Sequence, residues 1–304
     1  MRARLDEALA LLQSGDSERV GEALAILQGT VFAFSMKVCG HREDAEDTMQ
    51  EVLLRSLPHL SKIEHPRALA VWLYTVTRNR CWRSRRRPAH APQETLSLDE
   101  LMPDREDLQR LLQDDSPGPE KRVGQREEAQ LLHRAVLTLP AQYRIVLVLH
   151  DMEELDTDLV AQILALQPGT VRVRLHRARL GVRKAMGLLL AGRSPKWTER
   201  RKQPRKKDGA VEKRDPECKA IFDNLSELMD GRLDTPLCAQ IEQHVQSCPA
   251  CVAFLKDLSL AIDRCRRFEV PESEQVRSRL GGLLIEEYLR LTGDRLTGNH
   301  ASGA

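Results

Sequence analysis

Apolar residues recur at three- and four-residue spacing through the first sixty positions: Leu5, Leu9 and Leu12, then Leu24, Leu27, Val31 and Phe34, then Val52, Leu53 and Leu57. This is the period of helices that bury one face. Gly15, Gly40, Pro58 and Pro66 punctuate the run and predict helix ends. No stretch sustains period-two alternation of β-branched residues, so the pattern predicts an all-α protein. From Pro88 to Gly124 the periodicity dissolves into PAHAPQETLSLDELMPDREDLQRLLQDDSPGPE and its continuation, which reads as a flexible linker with one short helix. Helical spacing returns at Ala129 and holds to about Leu190, with breaks at Pro140, between Glu153 and Thr157, and from Gln167 to Gly169. A basic segment, RSPKWTERRKQPRKKDGAVEKRDPE, then precedes a third apolar region. The predicted division is 1–90, linker 91–124, 125–192, linker 193–216, 217–292 and a disordered tail at 293–304.

Charge sharpens this picture. Lys and Arg number 47 against 45 Asp and Glu, a net of +2, so affinity for a polyanion must come from arrangement and not from the total. Residues 78–87 hold six arginines and no acid, residues 94–115 hold eight acids against two arginines, and residues 193–216 hold ten basic against four acidic residues. Basic surfaces are thus separated by an acidic connector. No uninterrupted apolar run approaches the ~18 residues of a membrane span, and the opening MRARLDEALALLQSGD lacks a long apolar core before a small-residue cleavage site. A cytoplasmic protein with no membrane partner is expected. A Gly-rich phosphate loop, a Ser/His/Asp set and paired buried carboxylates are all missing from the sequence, which argues against an enzyme.

Two segments carry the chemistry of nucleic-acid recognition. In the first, Asp44, Glu46, Asp47 and Glu51 form an acidic rim on one helix, followed by a helix with Trp72, Leu73 and Val76 at helical spacing and then Arg78, Asn79, Arg80, Arg83, Arg85, Arg86 and Arg87. Aromatic rings stack on unpaired bases while guanidiniums hold phosphates. In the second, Asp156 or Thr157 can cap a short helix, and Pro168 and Thr170 start a longer one carrying Arg172, Arg174, Arg177, Arg179, Arg183 and Lys184. Val171, Val173, Leu175, Ala178 and Leu180 are available for its buried side, and Val160, Ala161, Leu164 and Val171 fit the core of a helix-turn-helix. Arg172, Arg174 and Arg177 are candidates for guanine edges or phosphates, and Arg179, Arg183 and Lys184 for phosphates.

A third constellation is metallic. His244 precedes Cys248 by four residues and Cys251 follows by three, while Pro249 suits the first turn of a helix that folds Cys251 back toward the same point. With Cys218 this supplies one imidazole and three sulfurs for a closed tetrahedral zinc site. Cys238 reads as a neighbouring redox thiol or a substitute ligand and Cys265 as incidental. Cys39 and Cys81 read as buried thiols, and the remaining histidines as caps, surface or packed residues.

DAEDTMQEVLL followed by RALAVWLYTVTRNRCWRSRRR resembles the first domain of the extracytoplasmic-function sigma factors, and GTVRVRLHRAR resembles their minus-35-reading helix. The resemblance implies that Asp44, Asp47, Gln50 and Glu51 face core RNA polymerase. It places Trp72, Arg78, Asn79 and Arg83 near the non-template strand of the minus-10 element, and Thr170, Arg172, Arg174, Arg177 and Arg179 on promoter duplex. Residues 215–265, with Asp-Gly-Arg-Leu and His-x3-Cys-Pro-x-Cys, resemble the zinc-binding anti-sigma domain, which holds a sigma factor away from polymerase. Such a chain recruits polymerase and helps open the promoter, while its tethered domain either folds back on the sigma domains or assists them. Three departures stand out: an Arg near position 83 where the family has an acid, Leu159 where it has Glu, and Ala165 where the turn has Gly. Ala enters left-handed backbone at a cost, so a strained or reshaped turn is expected. The competing reading is a helix-turn-helix regulator that binds duplex DNA without polymerase; it leaves the acidic helix unexplained.

Overall fold

In a computed structural model, the described residues are 2–14, 16–60, 62–84, 96–101, 124–197, 247–270 and 282–291, with scattered positions between 221 and 244. All regular structure among them is helical. The helices are α1 (Arg2–Gln13), α2 (Ser17–Cys39), α3 (Arg42–Leu60), α4 (Pro66–Ser84), α5 (Leu98–Leu101), α6 (Gln125–Thr138), α7 (Ala141–Leu147), α8 (Thr157–Leu164), α9 (Pro168–Leu190) and α10 (Pro249–Arg266). A π-turn, Val148–Met152, continues α7. Two compact units form: residues 1–88, 148–168 and 269–304 make one, and residues 89–147 and 169–268 make the other.

The first unit is built on α1 to α4. The Asp16 carboxylate accepts the Glu18 N–H at 3.0 Å and starts α2; Gly40, at φ 78°, ends it with its own N–H donated to the Met36 carbonyl. Leu5, Leu9, Leu24, Leu27, Val31, Phe34, Val52, Leu53, Leu57 and Leu73 are buried, as their spacing predicts, and Met49 joins them. The helix end expected at Pro58 does not occur there. Helix α3 runs through Pro58 to Leu60, because losing one N–H within the last turn forfeits a single bond close to where the helix must stop anyway. Glu18–Cys39 is long and apolar enough by composition to span a membrane, yet 67% of that stretch is buried inside the fold, as in the central helix of a packed bundle. Leu284 and Tyr288, within the helical residues 282–291, are also buried in this unit. A Cβ at Gly21 of α2 would lie 3.1 Å from the Ile285 side chain.

The second unit gathers α6, α7, α9 and α10. The break at Pro140 and the new start at Pro168 fall where the sequence puts them. Along α9 the buried residues Val171, Leu175, Ala178, Val182 and Ala185 follow one stripe of the 3.6-residue period. Val173 does not join them: two residues on from Val171 lies across the helix, and Val173 is 54% exposed. Within the segment read as a flexible linker, Leu96 and Leu101 are buried, and a Cβ at Gly181 of α9 would meet Leu139 at 2.8 Å and Leu96 at 3.1 Å. Helix α5 is thus pinned against α9. Residues 102–123, most of the basic linker beyond Trp197, and the tail lie outside the described residues.

Candidate functional site

The acidic helix presents its charges as its periodicity requires. On α3, Glu43, Asp47, Gln50 and Leu54 are exposed at i, i+4, i+7 and i+11, with Asp44 half-buried beside them. Glu51 is committed within the fold: it pairs with Arg55 at 2.8 Å and accepts a short hydrogen bond from the Arg80 Nε of α4. Asp47 and Gln50 are therefore the open members of the four-residue set, and Glu51 ties α3 to α4.

Helix α4 carries the second set. Trp72 is half-buried, its ring tilted against His59 at 5.7 Å. Asn79 is exposed and accepts hydrogen bonds from Arg78, at 3.1 Å from Nε and 2.7 Å from Nη2. The Arg78 guanidinium also lies 5.2 Å from the Trp82 ring, and Trp82, 43% exposed, is the more open indole of the helix. The backbone of Arg83 is helical; its side chain is outside the described residues. Sequence spacing singled out Trp72, whereas the open ring is Trp82, whose only signal is its place among the arginines.

Asp156 is the cap of α8, accepting the Leu159 N–H at 2.8 Å. The turn ends at Ala165 with φ 52° and ψ 48°, a left-handed conformation adopted by a non-glycine residue. The departure from Gly is thus absorbed by strain with the turn kept. Leu159, at the second departure, is buried. On α9, Thr170 and Arg172 are exposed and Arg174 and Arg177 half-buried. Arg179 is different: at 0% exposure it pairs with Asp230 at 2.9 Å. Four residues on, Arg183 pairs with Asp257 at 2.6 Å and stacks over the Phe254 ring at 4.3 Å. Asp257 and Phe254 belong to α10, and Asp230 precedes Gly231, whose φ of 63° makes a turn that glycine enters freely. Arg264 of α10 ion-pairs with Glu128 of α6, and His133 stacks on Phe268 at 5.5 Å. These acidic and aromatic partners carry little sequence signal beyond the Asp-Gly turn.

The metal candidates converge. His244, Cys248 and Cys251 bring one ligand atom each within 4.8 Å of one another, and the His244 Nε2 to Cys251 Sγ distance is 3.5 Å. Tetrahedral zinc, with bonds of about 2.0 Å to nitrogen and 2.3 Å to sulfur, sets that edge at about 3.5 Å, so the donors fit. The Cys248 N–H donates to the His244 carbonyl at 3.0 Å, which carries helical geometry up to Cys248, and Pro249 opens α10 with Cys248 as its cap. Cys218 and Cys238 lie outside the described residues. Cys251, Phe254, Leu258 and Cys265 share the buried side of α10, so the donors and the group over Arg183 sit on adjacent turns.

Comparison with known families matches a sigma-70 region 2 model to residues 25–90, a sigma-70 region 4 model to residues 129–180 and a zinc-finger model to residues 218–251. Among curated proteins, the extracytoplasmic-function RNA polymerase sigma factor SigW of Bacillus subtilis is 26% identical over 188 residues, covering 61% of this chain and 98% of that protein. SigE of Mycolicibacterium smegmatis is 29% identical over 153 residues, 50% of this chain and 56% of that one. SigM of Mycobacterium tuberculosis is 28% identical over 151 residues, 49% of this chain and 68% of that one.

Proposed function

Because the chain belongs to the sigma-70 family of RNA polymerase sigma factors, with region 2 and region 4 domains followed by a zinc-finger domain, we propose how its residues divide the work of a transcription initiation factor. Asp44, Asp47, Gln50 and Glu51 of α3 dock on core RNA polymerase, with Asp47 and Gln50 outermost. Trp72, Arg78, Asn79 and Arg83 of α4 hold the non-template strand of the minus-10 element, where stacking and phosphate contact favour the unpaired state. Thr170, Arg172, Arg174 and Arg177 of α9 enter the major groove of the minus-35 element, and Arg179 takes phosphate when available. Bond chemistry is left to polymerase, so the chain needs no catalytic residue of its own, and it works where polymerase and chromosome are, in the cytoplasm.

The zinc-finger domain restrains this activity. Cys218, His244, Cys248 and Cys251 would hold Zn²⁺, whose bonds would fasten the first turn of α10, the helix that carries Phe254 and Asp257. The observation that carries this reading is the pairing of Asp230 and Asp257 with Arg179 and Arg183. Carboxylates occupy two guanidiniums that phosphates would otherwise occupy, so the domain and promoter DNA compete for one face of α9. Tethering places the acidic pair at an effective concentration in the ~mM range.

Two doubly substituted chains test the reading. Reversing Asp44 and Asp47 to Lys should abolish binding to core polymerase while duplex binding persists; a wild-type chain that binds duplex but neither binds core polymerase nor initiates favours a helix-turn-helix regulator instead. Asp230→Asn with Asp257→Asn should raise promoter duplex affinity about tenfold or more, since removing one partner of a buried pair is strongly unfavourable to the docked state. A fall in affinity would mean that the domain assists.

A further inference from the structure

The first unit contains a buried polar cluster that none of these assignments uses. Lys37, in the last turn of α2, is 2% exposed and donates to the Glu153 Oε1 at 2.8 Å and to the Met152 carbonyl at 3.4 Å. Tyr74 of α4 donates its phenol proton to the other oxygen of Glu153, also at 2.8 Å, and its ring packs edge-on against Phe34 at 4.9 Å. Glu153 is 0% exposed and follows the π-turn Val148–Met152, so the widened turn and the positive φ of Glu154, 57°, deliver its carboxylate into the region 2 core. One turn further along α4, the Arg78 Nη1 donates to the Ile163 carbonyl at 2.7 Å and the Thr75 hydroxyl donates to the same oxygen at 3.4 Å. Ile163 is in the last turn of α8, where carbonyls lack helical partners, so Arg78 acts as a cap for a helix more than eighty residues away. Arg67 adds an exposed pairing with Asp156, the cap of α8, at 3.8 Å.

A buried ion pair between segments 116 residues apart is an expensive way to fill a core, since both charges must be desolvated. It does specify one register: Glu153 fits only where Lys37 and Tyr74 both point. Together with the Arg78 cap it fastens residues 148–164 onto the face of α4 that carries Thr75 and Arg78. Burial lowers the Arg78 pKa, in keeping with a guanidinium turned into the protein.

We propose that residues 148–164 are a latch that closes the free chain by occupying the strand-facing side of α4, with Glu153 as its bolt between Lys37 and Tyr74. Arg78 cannot cap α8 and hold a DNA phosphate at once, so engagement of the minus-10 strand requires the segment to leave. The closed state lowers the apparent affinity for polymerase and strand by the fraction of chains that are open, and interactions made only in the open state draw the latch away. This functional consequence rests on the reading of α4 given above; the closure itself does not.

Hydrogen–deuterium exchange on the full chain tests it. In the wild type the amides of residues 157–166 should be protected. Glu153→Gln removes the bolt charge, and Tyr74→Phe keeps the Lys37–Glu153 pair but deletes one hydrogen bond to a buried carboxylate. Each should speed exchange across 157–166 by about tenfold or more while amides of α3 hold their rates, the factor expected for losing a hydrogen bond to a charged group. If Glu153→Gln does not fold, Tyr74→Phe decides alone. Unchanged protection, or an equal loss across α3, would overturn the latch and leave the cluster as ordinary core. Titration with core RNA polymerase separates the two readings: Tyr74→Phe should bind more tightly than wild type, and equal affinity contradicts the latch. If neither chain binds core polymerase, the sigma reading fails while the exchange comparison still judges the closure.

Discussion

At the residue scale, single side chains here are set against the ordinary rules, and each departure has a measurable cost. Ala165 holds a left-handed conformation that glycine enters freely, so Ala165→Gly should stabilise the chain by about 1 kcal/mol, read from the urea midpoint. A loss of stability would mean that the Ala methyl contributes packing exceeding the strain. Lys37→Met removes one partner of a buried pair and should cost about 3 kcal/mol. Tyr74 is held well above the usual phenol range, first by burial and then by the Glu153 charge and hydrogen bond. Its phenol ionises near pH 10 in an unfolded chain and later in the folded one. Its contribution is therefore whole below pH 10 and is lost as pH rises above it. Ultraviolet titration should find it ionising together with unfolding; ionisation near pH 10 in a chain that is still folded would refute the buried pairing. The Ala165 strain was legible because the turn's place in the helix-turn-helix is set by local spacing. Glu153 was not, since a carboxylate between two helices looks solvated until distant residues close over it.

At the element scale, the helices and their ends follow from period and punctuation. Asp156, Gly40, Pro140, Pro168 and Pro249 all act at the boundaries where the chain places them. The failures have different causes: Pro58 falls in a last turn that tolerates it, Val173 lies across α9 from Val171, and only Leu96 and Leu101 meet partners far away in sequence. Val173 was assigned to the buried side of α9 from apolarity alone, and Leu96 and Leu101 were assigned to a flexible segment from the prolines around them. The helix α10 joins donor and clamp, because Cys251 lies one turn from Phe254 and two from Asp257. Removing metal should loosen that first turn and free α9. Chelation should accordingly raise affinity for promoter duplex about as much as the Asp230 and Asp257 substitutions do, with no further gain when the two are combined. Additive gains in a fluorescence-anisotropy titration would separate the metal from the clamp.

At the scale of the whole molecule, one chain joins sigma-70 region 2 and region 4 domains to a zinc-finger domain, for which we propose a restraining role. The three domain families were legible because each carries a local signature: an acidic rim before an arginine-rich helix, a capped short helix before a basic one, and a His-x3-Cys-x2-Cys spacing. The proposed restraint rests on pairs, Arg179 with Asp230, Arg183 with Asp257 and Lys37 with Glu153, which only tertiary structure brings together. Point substitutions test it more cleanly than truncation, since residues 282–291 include side chains packed beside α2 and their loss would uncover that core. The most direct measurement is run-off transcription by purified core RNA polymerase on candidate promoters, comparing polymerase alone, with the full chain, and with the Asp230→Asn, Asp257→Asn chain. Promoter-specific transcripts are expected only when the chain is added, with more of them from the substituted chain. Duplex binding by both chains without polymerase binding or initiation would contradict a sigma factor's role.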